Sequence, residues 1–266
     1  MPDLFVYGSG LAAALVLGIC GWGASVIARD VSIVDALWSL FFLLMGLVYM
    51  LLIPETGPRA LLVFVLLTLW AVRLSLHISR RNQGQGEDRR YQAIRADNDP
   101  GFWWKSLYLV FGLQAILAWV ISLPLLGAMA LPASLGWLDA LALALWCLGF
   151  AFEALADRQL AAFKARPENA GQVMDRGLWR YSRHPNYFGE ACIWWAFYLF
   201  ALAAGAWWAL IAPLLMTFLL LRVSGVTLLE RDIGERRPGY RDYVARTNAF
   251  IPGPPRRVPS GGGDGR

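Results

Sequence analysis

Residues 177–190 read Gly177-Leu178-Trp179-Arg180-Tyr181-Ser182-Arg183-His184-Pro185-Asn186-Tyr187-Phe188-Gly189-Glu190, and an apolar run, 187–204, grows out of their second half. Arginines, a histidine, an amide and a carboxylate thus stand at the mouth of a stretch long enough to enter a membrane. Charge near hydrocarbon costs roughly 2.5–3.5 kcal/mol per residue at a helix centre, and less toward the interface, so a chain that keeps it there generally uses it. The segment therefore sets two expectations together. The fold is a membrane bundle, and the chemistry lies at the rim of this helix.

Composition widens the first expectation to the whole chain. Of 266 residues, 58% are apolar and 16% charged, with 13 tryptophans, which is too apolar for an ordinary soluble domain. Segments that match about 30 Å of hydrocarbon, about 20 residues each, recur at 4–28, 31–53, 60–79, 104–125, 137–156, 187–204 and 206–221. They predict an all-α polytopic protein of seven transmembrane helices in one domain over 1–257, followed by a disordered tail, 258–266, that contains Gly261-Gly262-Gly263. Ala204-Gly205-Ala206 and Arg29-Asp30 mark the two tight hairpins. The first apolar stretch lacks the basic start and small-residue cleavage site of a removable signal, so it is expected to remain as a helix. Cys20, Cys147 and Cys192 lie inside apolar runs, an odd number without a pairing or metal-ligand pattern.

Positive charge orients the bundle. With the N-terminus outside and the C-terminus cytoplasmic, Arg59 is the only basic residue on the outer side. Recognition of a soluble charged ligand is then confined to the cytoplasmic face. The net charge of +5 follows from this bias and from attraction to anionic lipid, so no nucleic-acid partner is required. No P-loop, internal repeat or dinucleotide-binding glycine fingerprint occurs.

Several polar residues fall inside or beside the predicted spans. Arg73 and His77, four apart, share one face of the third helix, and an arginine there calls for a carboxylate or a phosphate. Glu153 and Asp157 repeat the spacing with opposite sign on the fifth helix, either pairing with basic residues to hold helices together or accepting hydrogen bonds from a ligand. Lys164 and Arg166 are expected in the loop that follows. Asp35 is either a first-turn acid favoured by the helix dipole or a buried proton donor. The C-terminal stretch 228–252 reads as an amphipathic helix on the membrane surface or as the wall of a ligand pocket.

The motif of residues 177–190, together with Tyr240-x-x-Tyr243, Phe250-Ile251-Pro252, Asp35, Trp70-x-x-Arg73, Glu87-Asp88-x-Arg90-Tyr91 and Glu153-x-x-x-Asp157, resembles the steroid 5α-reductase-like superfamily, closest to its large bacterial branch of unknown function. The resemblance covers most of the chain. It implies residence in a bacterial inner membrane, NADPH as cofactor, and reduction of a carbon–carbon double bond in a lipid or steroid-like substrate. It also implies that Asn186 and Glu190 hold the nicotinamide carboxamide. Arg73, Asp157 and Lys164 would then meet phosphates and ribose with Arg183 and Tyr243 nearby, and His77, Glu153, His184 and Tyr187 complete the cofactor set. In the steroid enzymes a tyrosine supported by a glutamate polarises the substrate oxygen. Here Asp35 stands at the glutamate position and Trp70 at the tyrosine position, and an indole is no proton donor of that kind. The alternative is an S-adenosylmethionine-dependent methyltransferase of the isoprenylcysteine type, which shares an Arg-His-Pro-x-Tyr motif and a Tyr-x-x-Tyr. A membrane scaffold, with the charged residues as structural ion pairs, is the third reading.

Overall fold

The structure is a computed structural model that describes residues 3–223 and 239–256, and among these it is all-helical without a strand. The helices are α1 (Leu4–Ala28), α2 (Ile33–Leu52), α3 (Pro58–Asn82), the short α4 (Arg89–Asn98), α5 (Phe102–Met129), α6 (Trp137–Lys164), α7 (Pro185–Ala203), α8 (Trp207–Val223) and the short α9 (Tyr240–Arg246). Each of the seven apolar runs is helical where it was expected. Five of them, α1, α2, α3, α5 and α6, have the length and hydropathy to cross a membrane. Helix α7 has 19 residues, but Asn186 and Glu190 in its first turns dilute its hydropathy, and α8 is shorter. The predicted tail lies outside the described residues, as does 228–238 of the predicted surface helix.

Contacts divide the chain into two compact units, Met1–Leu143 with Ala196–Pro213, and Ala144–Trp195 with Leu214–Arg266. In the first, α1, α2, α3 and α5 pack on one another around Phe41, Phe42, Met45, Tyr49, Leu67 and Trp70, all fully buried. Their outer faces stay apolar, with Ile27 87% and Leu51 73% exposed, an arrangement that suits lipid rather than water. Hydroxyls inside this unit find partners. The Tyr49 and Ser122 hydroxyls lie 2.8 Å apart, and Ser39 Oγ donates to the Ala71 carbonyl at 2.9 Å, tying α2 to α3.

Local chemistry sets the breaks. Arg29 takes the left-handed conformation (φ 55°) at the end of α1, its N–H returning to the Ser25 carbonyl, and this turns the chain tightly into α2. Gly205 (φ 79°) does the same between α7 and α8, where only glycine is free of a Cβ penalty. Helix α5 widens into a π-turn over Leu107–Gly112 and breaks at Ser122, two residues before Pro124.

Two expectations are corrected here. The fifth run does not end near Ala156: residues 158–164 are good helix formers, and Leu160 and Phe163 join a cluster with Met174 and Trp179, so α6 continues to Lys164. Lys164 therefore sits in a last helical turn, not in a loop. The stretch around Tyr240 is also no simple surface helix, since Tyr240 and Tyr243 are buried.

Candidate functional site

Of the residues singled out in the sequence, Glu153, Asp157, Lys164, Arg183, His184, Asn186, Tyr187, Glu190 and Tyr243 belong to the second unit. Their spacing depends on one close approach of backbones. A Cβ built on Gly189 of α7 would lie 2.5 Å from the Gly149 carbonyl oxygen and 2.6 Å from the Glu153 amide nitrogen of α6. No side chain fits there, and the two glycines let the polar turns of both helices meet.

The loop before α7 is sewn in place from several directions. The Trp179 indole donates to the Ala156 carbonyl at 3.0 Å, and the Leu178 N–H to Gln159 Oε1 at 3.0 Å, anchoring the loop on α6. From the other side, Ser182 Oγ donates to the Phe250 carbonyl at 2.7 Å, and the Tyr243 hydroxyl to the Trp179 and Ser182 carbonyls. Arg183 spends Nη1 on the carbonyls of Thr247, at 2.7 Å, and Val244, at the C-terminal end of α9, where cations are favoured. The His184 N–H donates to Ser182 Oγ, its ring lies parallel to that of Tyr187 with centroids 5.6 Å apart, and Pro185 opens α7 in the position a helix tolerates best.

Asn186 and Glu190 follow on one face of α7, four apart. Asn186 Nδ2 donates to Asp157 Oδ1 at 3.2 Å. A carboxylate only accepts, so this contact fixes the orientation of the amide. Asn186 Oδ1 is thereby aimed away, buried and without a hydrogen-bond partner among the described residues. Glu153 is 2% exposed, Asp157 7% and Glu190 8%, while Lys164 is exposed. An oriented acceptor flanked by buried carboxylates suits a ligand rich in N–H or O–H donors.

The first unit holds Asp35, Trp70, Arg73 and His77. Trp70 is fully buried and packs on Phe42 with ring centroids 5.8 Å apart. Arg73 and His77 are half-buried, and two guanidinium nitrogens of Arg73 are shielded from solvent. Asp35 stands in the first turn of α2 and accepts from Arg90 Nη2 and from the Tyr91 hydroxyl, both at 2.6 Å. Burial, then the Asp35 charge, pushes the Tyr91 phenol well above its ordinary range. Desolvation would lower Arg90, but Asp35 and Asp88 outweigh it and hold the guanidinium charged. Around this pair, Asp88 caps α4, and Arg95 clasps Glu87 at 2.7 and 2.9 Å while Glu87 also accepts from the Val31 N–H.

Sequence reasoning weighed Asp35 without seeing that Arg90 and Tyr91 fold back onto it. The Glu87-Asp88-x-Arg90-Tyr91 motif was the available signal. It also missed the pairing of Arg59 with Asp139, in which Nε donates to Oδ1 at 2.6 Å with both side chains 3% exposed.

A chain built from apolar helices of this length, with ion pairs gathered at their ends, has the character of an integral membrane protein. It belongs to the family described as a protein of unknown function (DUF1295), whose profile matches residues 21–247. An uncharacterized protein of Schizosaccharomyces pombe is 29% identical to it over 276 residues, covering 91% of this chain and 78% of the fungal one. No solved structure matches the chain.

Proposed function

We propose that this chain is a membrane-embedded reductase of the steroid 5α-reductase-like superfamily that uses NADPH to saturate a carbon–carbon double bond in a lipid or steroid-like substrate. The observation that carries the reading is the half-used amide of Asn186. Its donor is fixed by Asp157 and its acceptor is buried and open, which fits the N–H of a carboxamide. Glu190, one turn on, is a second acceptor for the same group. In this reading α7 and α8 complete a seven-span, single-domain bundle over 1–257, with the N-terminus outside and the C-terminus in the cytoplasm, in the inner membrane of a bacterium. Within the second unit, Lys164 serves the phosphates, Glu153 and Asp157 the hydroxyls, and His184 and Tyr187 the ring wall. Arg183 and Tyr243 hold the loop that presents them.

When bound, NADPH supplies a hydride for the β-carbon of a polarised alkene. The chain's own part is to orient the amide end, exclude water and leave the substrate in apolar surroundings. With Asp35 engaged by Arg90 and Tyr91, and Trp70 in the core, neither is assigned proton delivery, and a 3-oxo-steroid is not assumed.

Thermal shift of the detergent-purified chain with NADPH, NADH and S-adenosylmethionine tests this. A ligand of the folded state at 100 times its Kd adds about 2.7 kcal/mol, a shift of several degrees. NADPH is expected to produce it, and Asn186→Ala and Glu190→Gln to remove it with the fold intact. A shift with S-adenosylmethionine and none with NADPH would replace the reductase reading with the methyltransferase one.

A further inference from the structure

A cavity of about 380 Å³ opens in the first unit, where the last turn of α1 meets the first turn of α5. Both helices are long and apolar enough to cross a membrane, so their ends mark the level at which hydrocarbon gives way to headgroups. Its lining changes character to match. Arg29, Arg95, Ser25 and Ser106 give it charged and hydroxyl-bearing lining, and Val26 and Trp103 an apolar or amphipathic one.

The two guanidiniums have donors to give. Arg29 is exposed and has no ion pair among the described residues. Arg95 commits Nε and Nη2 to Glu87 and lies over the Phe102 ring at 4.7 Å, which leaves Nη1 in hand. The serine hydroxyls donate to the Trp22 and Trp103 carbonyls, which leaves their oxygens able to accept from a headgroup hydroxyl. Beside and below the cavity, the outward side of α1 is apolar and open over Gly23. Ile19, Val26 and Ile27 are exposed, and nothing lies within 4 Å of the Cβ position of Gly23.

We infer that this cavity seats the phosphate headgroup of an anionic membrane phospholipid, with the phosphate between Arg29 and Arg95 and one acyl chain running down α1 over Gly23. Charge at the top and an apolar trough beneath match a molecule that carries both. A soluble anion would have no use for the trough.

The test uses the full chain in nanodiscs of phosphatidylcholine alone and of phosphatidylcholine with phosphatidylglycerol, read by thermal midpoint and by native mass spectrometry of retained lipid. Wild type is expected to gain stability with phosphatidylglycerol and to carry one copy through detergent exchange. Arg29→Gln is expected to weaken retention roughly tenfold, as for loss of a charge-assisted contact to phosphate. Val26→Trp, which fills the cavity without touching the charges, is expected to do the same, while Arg89→Gln, an exposed basic residue elsewhere, leaves retention unchanged. Equal retention by wild type, Arg29→Gln and Val26→Trp would overturn the site. So would equal loss in Arg89→Gln, which would reduce the effect to general surface charge. The same stabilisation by inorganic phosphate in phosphatidylcholine discs would overturn the lipid in favour of a soluble anion.

Discussion

The polar groups of the two units are used differently. In the first, Asp35 is matched by Arg90 and Tyr91, Glu87 by Arg95, and Arg59 by Asp139. In the second, Asp157 holds one end of the Asn186 amide and the other end has no hydrogen-bond partner among the described residues. Pairing offsets much of the desolvation cost of a buried charge and fixes the elements it joins. An acceptor left bare pays a desolvation penalty that only a ligand, or a water, removes. Under the proposed function, the contrast separates residues that hold this fold from an acceptor that waits for a ligand.

Breaking a closed pair should have the largest effect. Asp139→Ala leaves the Arg59 guanidinium buried without its carboxylate and should cost about 3–5 kcal/mol, measured by denaturant unfolding in detergent. The double replacement Arg59→Met with Asp139→Leu should recover most of that loss. A small loss for the single variant would show that water reaches the pair. The next test sets one unit against the other. Asp35→Asn should lower stability by about 1–3 kcal/mol and leave the NADPH thermal shift in place. Asn186→Ala should change stability by less than about 1 kcal/mol and abolish that shift. If both variants lose stability and shift in the same proportion, the division between holding and waiting fails.

The smallest expected effect is in acid. Burial alone would raise Glu87, but the hydrogen bond and charge of Arg95, with the Val31 N–H, bring it below the ordinary 4.5. Asp88 lies below 3.8 for the same kind of reason, its partner being Arg90. Both carboxyls bind a proton less readily folded than unfolded. The stability they contribute is therefore complete above about pH 5 and fades as pH falls through the folded-state values. Glu87→Gln should flatten the midpoint-against-pH curve between about pH 5 and pH 3. A curve as steep as that of wild type would move the acid sensitivity to other groups.

Much of the fold was legible because length and hydropathy act locally. Helix α1 ends where its apolar run ends, at Ala28, and the hairpins fall at Arg29 and Gly205 as the punctuation required. The extension of α6 to Lys164 was hidden, because Arg158 and Gln159 look like a boundary until Leu160 and Phe163 are seen to face Trp179 and Met174. The candidate site was legible as a cluster in residues 177–190, while its wiring was not. That Arg183 ties down the end of α9 and Tyr243 clamps the loop depends on contacts more than 60 residues away along the chain, which no periodicity encodes. The same holds for Asp35, whose partners come from a motif 55 and 56 positions later.

The link between Arg59 and Asp139 also has a consequence in time. Its two ends are 80 residues apart, so at a synthesis rate of roughly 5–20 residues per second the arginine waits roughly 4–16 seconds for its counter-ion to be made. Throughout that interval it must stay hydrated, at the interface or inside the insertion machinery. The final burial of Arg59 against Asp139 thus follows the synthesis of α4, α5 and the start of α6, which ties the settling of α3 to the order and pace of translation.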